Sequence, residues 1–166
     1  MREDSQPTGG CACGALRYRL TRTPLVVHAC HCRDCQRITG SAFVINVWIE
    51  RECVECMAGQ PREFLLAGGS GKPHEVFFCG ACGTTVWSRY HSVPGHSLFV
   101  RAGTLDDPCA AEPDVHIFTA TKLSWVKLPD GVPAFEKMYV VRDVWPPERY
   151  ARLRANIARH ATPAGA

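Results

Sequence analysis

Ten cysteines occur in this chain, and seven of them fall into three tight groups: Cys11-Ala12-Cys13-Gly14, Cys30-His31-Cys32-Arg33-Asp34-Cys35 and Cys79-Gly80-Ala81-Cys82-Gly83. A turn of this kind lets two sulfurs reach one ion, and a glycine just after the second cysteine permits the positive φ that aims backbone N–H groups at thiolates. Gly14 and Gly83 stand where that role requires them. Zinc in a closed structural site takes four ligands, so two such pairs make a complete set. Spacing alone allows two pairings. Cys11 and Cys13 with Cys79 and Cys82 would clamp the start of the chain to its middle, a useful constraint because structural zinc contributes folding free energy directly. Cys53 and Cys56 with Cys79 and Cys82 give C-x-x-C, 22 residues, C-x-x-C, near the zinc-ribbon template. The ribbon pairing is the weaker, since Met57 rather than glycine follows Cys56 and residues 51–56 alternate as an edge strand would.

The middle group has different chemistry. Cys30, Cys32 and Cys35 put three thiolates within six residues and leave zinc one position short of four. An open position is where a catalytic metal takes water or substrate. A fourth protein ligand, His31 or the distant Cys109, would instead close the site and make it structural.

The compartment decides whether so many thiols mean disulfides or metal. The N-terminal residues, Met1 to Thr8, are polar and lack the apolar stretch of a secretory signal, so a cytoplasmic location is expected. Reducing cytosol disfavours structural disulfides and leaves thiolates free for soft metals. Apolar residues at 46% and charged residues at 21% are near globular averages, and no apolar run approaches the roughly 20 residues of a bilayer-spanning helix. No membrane association is expected. The net charge of +3 resides in residues 142–166, where five Arg face Asp143 and Glu148. That cluster is too sparse to track a phosphate backbone, so nucleic acid is not an expected partner.

The elements that must position these thiols read as short strands. Leu16–Leu20, Phe43–Ile49, Phe64–Leu66, Glu75–Phe78, Thr84–Trp87, Leu98–Val100 and Val115–Thr119 are alternating or apolar runs between turn residues. Fourteen Gly and twelve Pro punctuate them, which disfavours long helices before residue 145, and residues 68–73 form the clearest loop. After Pro146-Pro147 the period changes, and Tyr150, Leu153, Ile157 and Ala161 share one helical face while Arg149, Arg152 and Arg159 are expected on a solvated opposite face. At 166 residues the chain suits one domain with tails. The expected organisation is a tail over residues 1–8, a zinc domain over 9–140, and a helical extension with its tail over 141–166.

At the cysteine motifs the sequence resembles the glutathione-dependent formaldehyde-activating enzyme family, also called the Gfa or centromere protein V family. The matching segments are Gly10-Cys11-Ala12-Cys13-Gly14-Ala15-Leu16-Arg17-Tyr18, the stretch from Cys30 to Phe43, and Phe78-Cys79-Gly80-Ala81-Cys82-Gly83-Thr84, with further likeness at Gly103 to Pro108 and Asp114 to Ile117. The likeness covers roughly residues 9 to 136. It implies a mainly β chain of small antiparallel sheets in a β-tent fold, with a C-terminal helix added here. It also implies one structural zinc on Cys11, Cys13, Cys79 and Cys82, which settles the pairing against Cys53 and Cys56, and a second, catalytic zinc on Cys30, Cys32 and Cys35. The implied chemistry is that of a carbon–sulfur lyase, joining the glutathione thiol to formaldehyde as S-hydroxymethylglutathione. His31, between two ligands, is a candidate proton shuttle. Glutathione carries two carboxylates, for which Arg33 or Arg37 is the nearest cation in sequence. Cys53, Cys56, Cys109 and the Arg-rich tail lie outside the family pattern.

Other readings compete. Residues 68–72 resemble a phosphate loop, but the first required glycine would fall at Leu66 and Pro73 follows Lys72, so a hairpin loop is expected. His28, His74, His91, His96, His116 and His160 are scattered singly and read as structural or exposed, while Trp48, Trp87, Trp125 and Trp145 are expected to fill the core or line a pocket. Two rivals to the lyase remain: a non-catalytic, zinc-stabilised binding module, and a thiol redox enzyme working through Cys30, Cys32 or Cys35 without metal.

Overall fold

Short runs of β-branched and aromatic residues, cut by glycine and proline, pair into two sheets in the computed structural model, which describes residues 6–161. The strands are β1 (Thr8–Gly10), β2 (Arg17–Leu20), β3 (Val26–Cys30), β4 (Val44–Glu50), β5 (Val54–Ala58), β6 (Arg62–Ala67), β7 (Pro73–Phe78), β8 (Thr85–Tyr90), β9 (Ser97–Arg101) and β10 (Val115–Ile117). Three helices join them: α1 (Arg33–Thr39), α2 (Val141–Val144) and α3 (Pro147–His160). Strands β1, β2 and β5 form a small antiparallel sheet, and a seven-stranded sheet runs in the order β10-β3-β4-β9-β8-β7-β6. Every pair in the larger sheet is antiparallel except β10 with β3. The chain is therefore mainly β, as its punctuation suggests. The polar segment 1–5 and the final residues 162–166 lie outside the described residues.

Alternation along the central strands sorts side chains onto two faces with different tasks. On one face Val27, Val47, Ile49, Leu98 and Val100 join Leu16, Tyr18, Leu20 and Trp87 in a dry core beneath the three-stranded sheet. Tyr18 is fully buried there, its ring edge-on to Trp87 with centroids 5.5 Å apart. The register places a very different set on the other face, since His28 pairs Asn46, Trp48 pairs Phe99, Asn46 pairs Arg101 and His74 pairs Tyr90. Cys30 ends β3 on that face, and His28, Asn46, Glu50, His74, Ser88, Ser97 and Arg101 are buried polar groups along it. A sheet face that buries so many polar side chains is organised for something other than packing alone.

Helix α3 covers part of that polar face. Leu153 is buried and Tyr150 and Ile157 half-buried against Trp48 and Trp145, whose rings meet edge-on at 5.0 Å. Ala161 lies past the helix end and is exposed. The arginine face is solvated at Arg159, which is 58% exposed, but Arg152 is drawn in to 17%, and all three of its arginines meet acids. Arg152 reaches Glu50 at 2.7 Å, Arg149 reaches Asp114 at 3.2 Å and Arg159 reaches Glu52 at 2.7 Å. Periodicity identifies the apolar stripe of a helix but carries no information about acids waiting on the surface it docks against. Trp125 also departs from expectation, being 69% exposed, while the other three indoles are buried. Among the described residues no helix is long and apolar enough to cross a membrane.

Candidate active site and metal centres

The first cysteine cluster joins two tight turns. Cys11 and Cys13 follow β1, and Cys79 and Cys82 lie in the turn between β7 and β8. Their four Sγ atoms lie within 4.8 Å of one another and could hold a metal ion. Gly14 and Gly83 adopt φ of 77° and 75°, the left-handed turn that glycine allows without strain. The fold aims donors at the sulfurs: the Leu16 N–H lies 3.2 Å from Cys11 Sγ, and the Thr84 hydroxyl 3.1 Å from Cys82 Sγ. Hydrogen bonding from Thr84 pulls the Cys82 thiol down to about 5. Four soft donors this close together fit a tetrahedral zinc site with no vacancy. Cys53 and Cys56 take no part. Cys53 lies in the 3-10 turn Arg51–Cys53 and Cys56 is exposed on β5, opposite Tyr18 on β2. Cys109 is exposed in the 3-10 segment Pro108–Ala111 and belongs to neither cluster.

The second cluster is built where β3 gives way to α1. Cys30 is the last residue of β3, Cys32 caps α1, and Cys35 sits in its first turn with its N–H directed at Cys32 Sγ, 3.4 Å away. The three Sγ atoms again lie within 4.8 Å of one another. Protons are unequally held in so close a set. Hydrogen bonds from Cys30 and then Cys32 drive the Cys35 thiol well down, while contacts with Cys32 and then Cys35 drive Cys30 well up. Tyr90 Oη lies 3.6 Å from Cys35 Sγ, and burial holds that phenol well above its usual range, so it keeps its proton beside the sulfur. Three soft sulfurs fit zinc with one position to spare.

His31 lies between two of these cysteines but faces elsewhere. It is fully buried, its Nε2 is 3.0 Å from His116 Nδ1 on β10, and its ring lies 5.0 Å from that of Phe43. Gln36 and Thr121 both donate to its carbonyl, at 2.7 and 3.0 Å. The residue thus ties the Cys30–Cys32 turn to β10 and to the segment that follows. Burial, reinforced by His116, holds its ring down to about 4, so it is neutral at physiological pH.

A cavity of about 630 Å³ opens beside Cys30, Cys32 and Cys35. Its walls come from the polar face of the large sheet, namely His28, Asn46, Trp48, Tyr90 and Phe99, and from Val93, Ile117, Phe118 and Met138. Arg33, Asp34, Thr121 and the loop residues Gly68, Gly69 and Ser70 also line it. Asp34 holds that loop by accepting from the Gly69 N–H at 2.8 Å. Residues 68–72 are thus a hairpin loop between β6 and β7, as expected, and one tethered over the site. Arg33 lines the cavity, whereas Arg37 is exposed on α1 and contributes nothing to its walls.

Several site residues carry no local sequence signal. His28 is buried with its Nε2 2.8 Å from Tyr139 Oη, and burial pushes it down to about 3. His74 stacks on Tyr90 at 4.0 Å and is held down to about 4, by burial first and by Arg101 second. Arg101 is itself buried and has no carboxylate partner among the described residues. Asn46 and Ser88 accept from it. Phe118 is the one non-glycine residue among those described with positive φ, at 57°, a conformation that costs a bulky side chain on the order of 1–3 kcal/mol. It is over-determined by its surroundings: Thr121 donates to its carbonyl at 3.1 Å, and Thr119 donates to Phe135 at 3.0 Å. Only pairing between remote strands could have flagged these residues.

Fold and site define a mainly β protein with two cysteine clusters able to hold metal, one of four thiols and one of three thiols facing a cavity. The family model described as glutathione-dependent formaldehyde-activating enzyme matches residues 6–121, and the chain belongs to that family. A Halomonas elongata protein with the provisional name glutathione-dependent formaldehyde-activating enzyme is 25% identical over 125 residues, covering 72% of this chain and 79% of that protein. A crystal structure of a Rhodobacter sphaeroides protein is 19% identical, covers 77% of this chain and 98% of its own, and superposes with a TM-score of 0.46.

Proposed function

We propose that the protein is a zinc-dependent carbon–sulfur lyase of the cytoplasm, joining a small thiol such as glutathione to an aldehyde, with formaldehyde and S-hydroxymethylglutathione as the family's reference pair. The observation that carries this reading is the contrast between a four-thiol set with nothing left to bind and a three-thiol set opening on a cavity of about 630 Å³. Cys11, Cys13, Cys79 and Cys82 are assigned to a structural zinc, and Cys30, Cys32 and Cys35 to a catalytic one. A zinc ion at the second set supplies the positive charge that favours an incoming thiol as its thiolate, the nucleophilic form.

The addition itself is redox-neutral: a sulfur–carbon bond forms, the carbonyl π bond breaks, and the proton lost by the thiol is matched by one gained at the carbonyl oxygen. The chain's own groups prepare this step. Tyr90, protonated and in contact with Cys35, stabilises the charge on that sulfur. Neutral His28 and Trp48 on the cavity wall exclude water without adding charge. Arg33 at the mouth suits one glutathione carboxylate, and Arg37 is given no role. His31 is assigned to holding the Cys30–Cys32 turn rather than to moving a proton, because every atom of it is buried. A thiol ionises readily enough near neutral pH for water at the mouth to take its proton.

Counting zinc per chain while following glutathione plus formaldehyde consumption, with and without a chelator, tests the reading. Two zinc ions and chelator-sensitive turnover are expected. Two zinc ions without turnover of any thiol–aldehyde pair would point instead to a zinc-stabilised binding module, and a metal-free folded protein with a reactive thiol would point to redox chemistry.

A further inference from the structure

The cavity beside Cys30, Cys32 and Cys35 is built for more than a one-carbon aldehyde. Its volume of about 630 Å³ is in the range that encloses drug-sized ligands. Trp48, Phe99, Phe118, Val93, Ile117 and Met138 give it apolar walls. Arg33 and Asp34 are its lining residues with formal charge besides the thiols themselves, and they cancel. Asp34 is engaged with the Gly69 N–H, and Arg101, which lies behind the wall, is turned to Asn46 and Ser88, so no free charge lines the interior. One wall is also held in an unfavourable conformation, since Phe118 keeps its left-handed backbone although any glycine would relieve it. Apolar side chains lining a cavity open to solvent stay in contact with water, and an apolar ligand that displaces this water gains their burial. Formaldehyde displaces almost none.

Resting on the lyase reading above, we propose that the aldehyde partner is an apolar compound of aryl or branched-alkyl size, seated against Trp48, Phe99 and Phe118 with its carbonyl carbon toward the three cysteines. The thiol adds across its C=O as already described: one sulfur–carbon bond forms, the carbonyl becomes a hydroxyl, and no oxidant or reductant is consumed. Specificity then lies in the apolar wall, while the thiol is held near the mouth at Arg33.

The test uses the full-length, zinc-loaded protein. With glutathione as the thiol, kcat/KM is compared for formaldehyde and phenylacetaldehyde. Calorimetry with 2-phenylethanol, which keeps the ring but has no carbonyl, reads the cavity apart from chemistry. The expected result is a kcat/KM for the aryl aldehyde at least roughly tenfold above that for formaldehyde, together with saturable binding of the alcohol. Phe118→Gly and Met138→Asp should each weaken that binding by roughly tenfold. The first relieves backbone strain and the second changes an exposed position, so both variants should fold, which thermal melting checks. A preference for formaldehyde, no binding of the alcohol, or wild-type affinity in both variants overturns the proposal. The two readings fail differently. Alcohol binding that both variants weaken, with no turnover of any aldehyde, removes the lyase reading and the substrate role with it while supporting the apolar ligand class. Turnover of formaldehyde without alcohol binding keeps the lyase and removes the apolar partner.

Discussion

The two cysteine clusters use the same ligand atom and similar tight turns, yet they sit in opposite surroundings. Cys11, Cys13, Cys79 and Cys82 join the turn after β1 to the turn before β8, with Cys11 and Cys79 packed into the dry core under the three-stranded sheet and Cys13 and Cys82 exposed at its edge. Cys30, Cys32 and Cys35 hang from the end of β3 and the start of α1, facing a cavity walled by aromatic and buried polar side chains. Sequence separation explains much of the difference. A clamp across 66 residues, from Cys13 to Cys79, constrains the unfolded chain heavily, whereas three thiols within six residues constrain it little. The four-thiol cluster, closed by its ligand count, is suited to stability and the three-thiol one to chemistry.

That division is most exposed to a single serine in each cluster. Cys79→Ser should unfold the protein: structural zinc is worth on the order of 10 kcal/mol in small domains, comparable with the whole stability of a typical domain. Loss of bound zinc, loss of cooperative melting and insoluble expression are the expected readouts. Cys32→Ser should lower thiol-dependent turnover at least roughly 10³-fold while the circular dichroism spectrum and melting temperature stay close to wild type. If the second variant unfolds as completely as the first, the division of labour between the clusters is wrong.

A third substitution asks what stiffens the three-thiol half, where the metal constrains the chain least. Glu50 is 2% exposed at the end of β4, and Arg152 on α3, 17% exposed, meets it with two hydrogen bonds of 2.7 and 3.2 Å. Arg152 also donates to the Thr23 carbonyl at 3.0 Å. Arg152→Ala strands a buried carboxylate and should cost about 3–5 kcal/mol in urea denaturation. Arg152→Met with Glu50→Gln should recover part of that loss, because the penalty comes from leaving one charge alone rather than from lacking the pair. Zinc at Cys11, Cys13, Cys79 and Cys82 should stay bound in both variants.

What could be read from the chain and what could not follows the same division. The local turns were legible because each knuckle is one short motif, and Gly14 and Gly83 announced their positive φ. Which knuckles meet was not legible from spacing, which left Cys53 and Cys56 in contention until the family likeness removed them. Strand β3 escaped notice because its apolar run is only Val26-Val27 before His28 and Ala29, and it ends inside the cysteine motif at Cys30; burial is not the reason, since β9 is buried throughout and was legible. The cavity wall escaped with it, since His28, Trp48, Phe99 and Tyr90 become neighbours only through the β3-β4-β9-β8 order. The amphipathic face of α3 was plain in the sequence, but its acidic partners lie far away in the chain, at Glu50, Glu52 and Asp114.

The smallest expected effect concerns the four-thiol half. Asp106 receives both Nη atoms of Arg17, at 2.9 and 2.5 Å, and the Thr8 hydroxyl at 2.5 Å, which fastens β1 and β2 beside the Cys11 turn. Hydrogen bonding from Arg17, then from Thr8, pulls this carboxyl from 3.8 down to about 2. A carboxyl lowered on folding stabilises the native state above its unfolded value and loses that contribution as pH falls through the folded one. The pair is exposed, so solvent screening keeps the contribution small, and Asp106→Asn should lower the melting temperature by no more than ~2 °C near neutral pH. The gap between wild type and variant should hold down to about pH 4, close between there and about pH 2, and shrink in high salt. Cysteine ligands also take up protons on acidification, so the quantity to follow is the difference between the two proteins at each pH. A large drop for Asp106→Asn at neutral pH would mean that the metal clamp is not what holds the four-thiol half together.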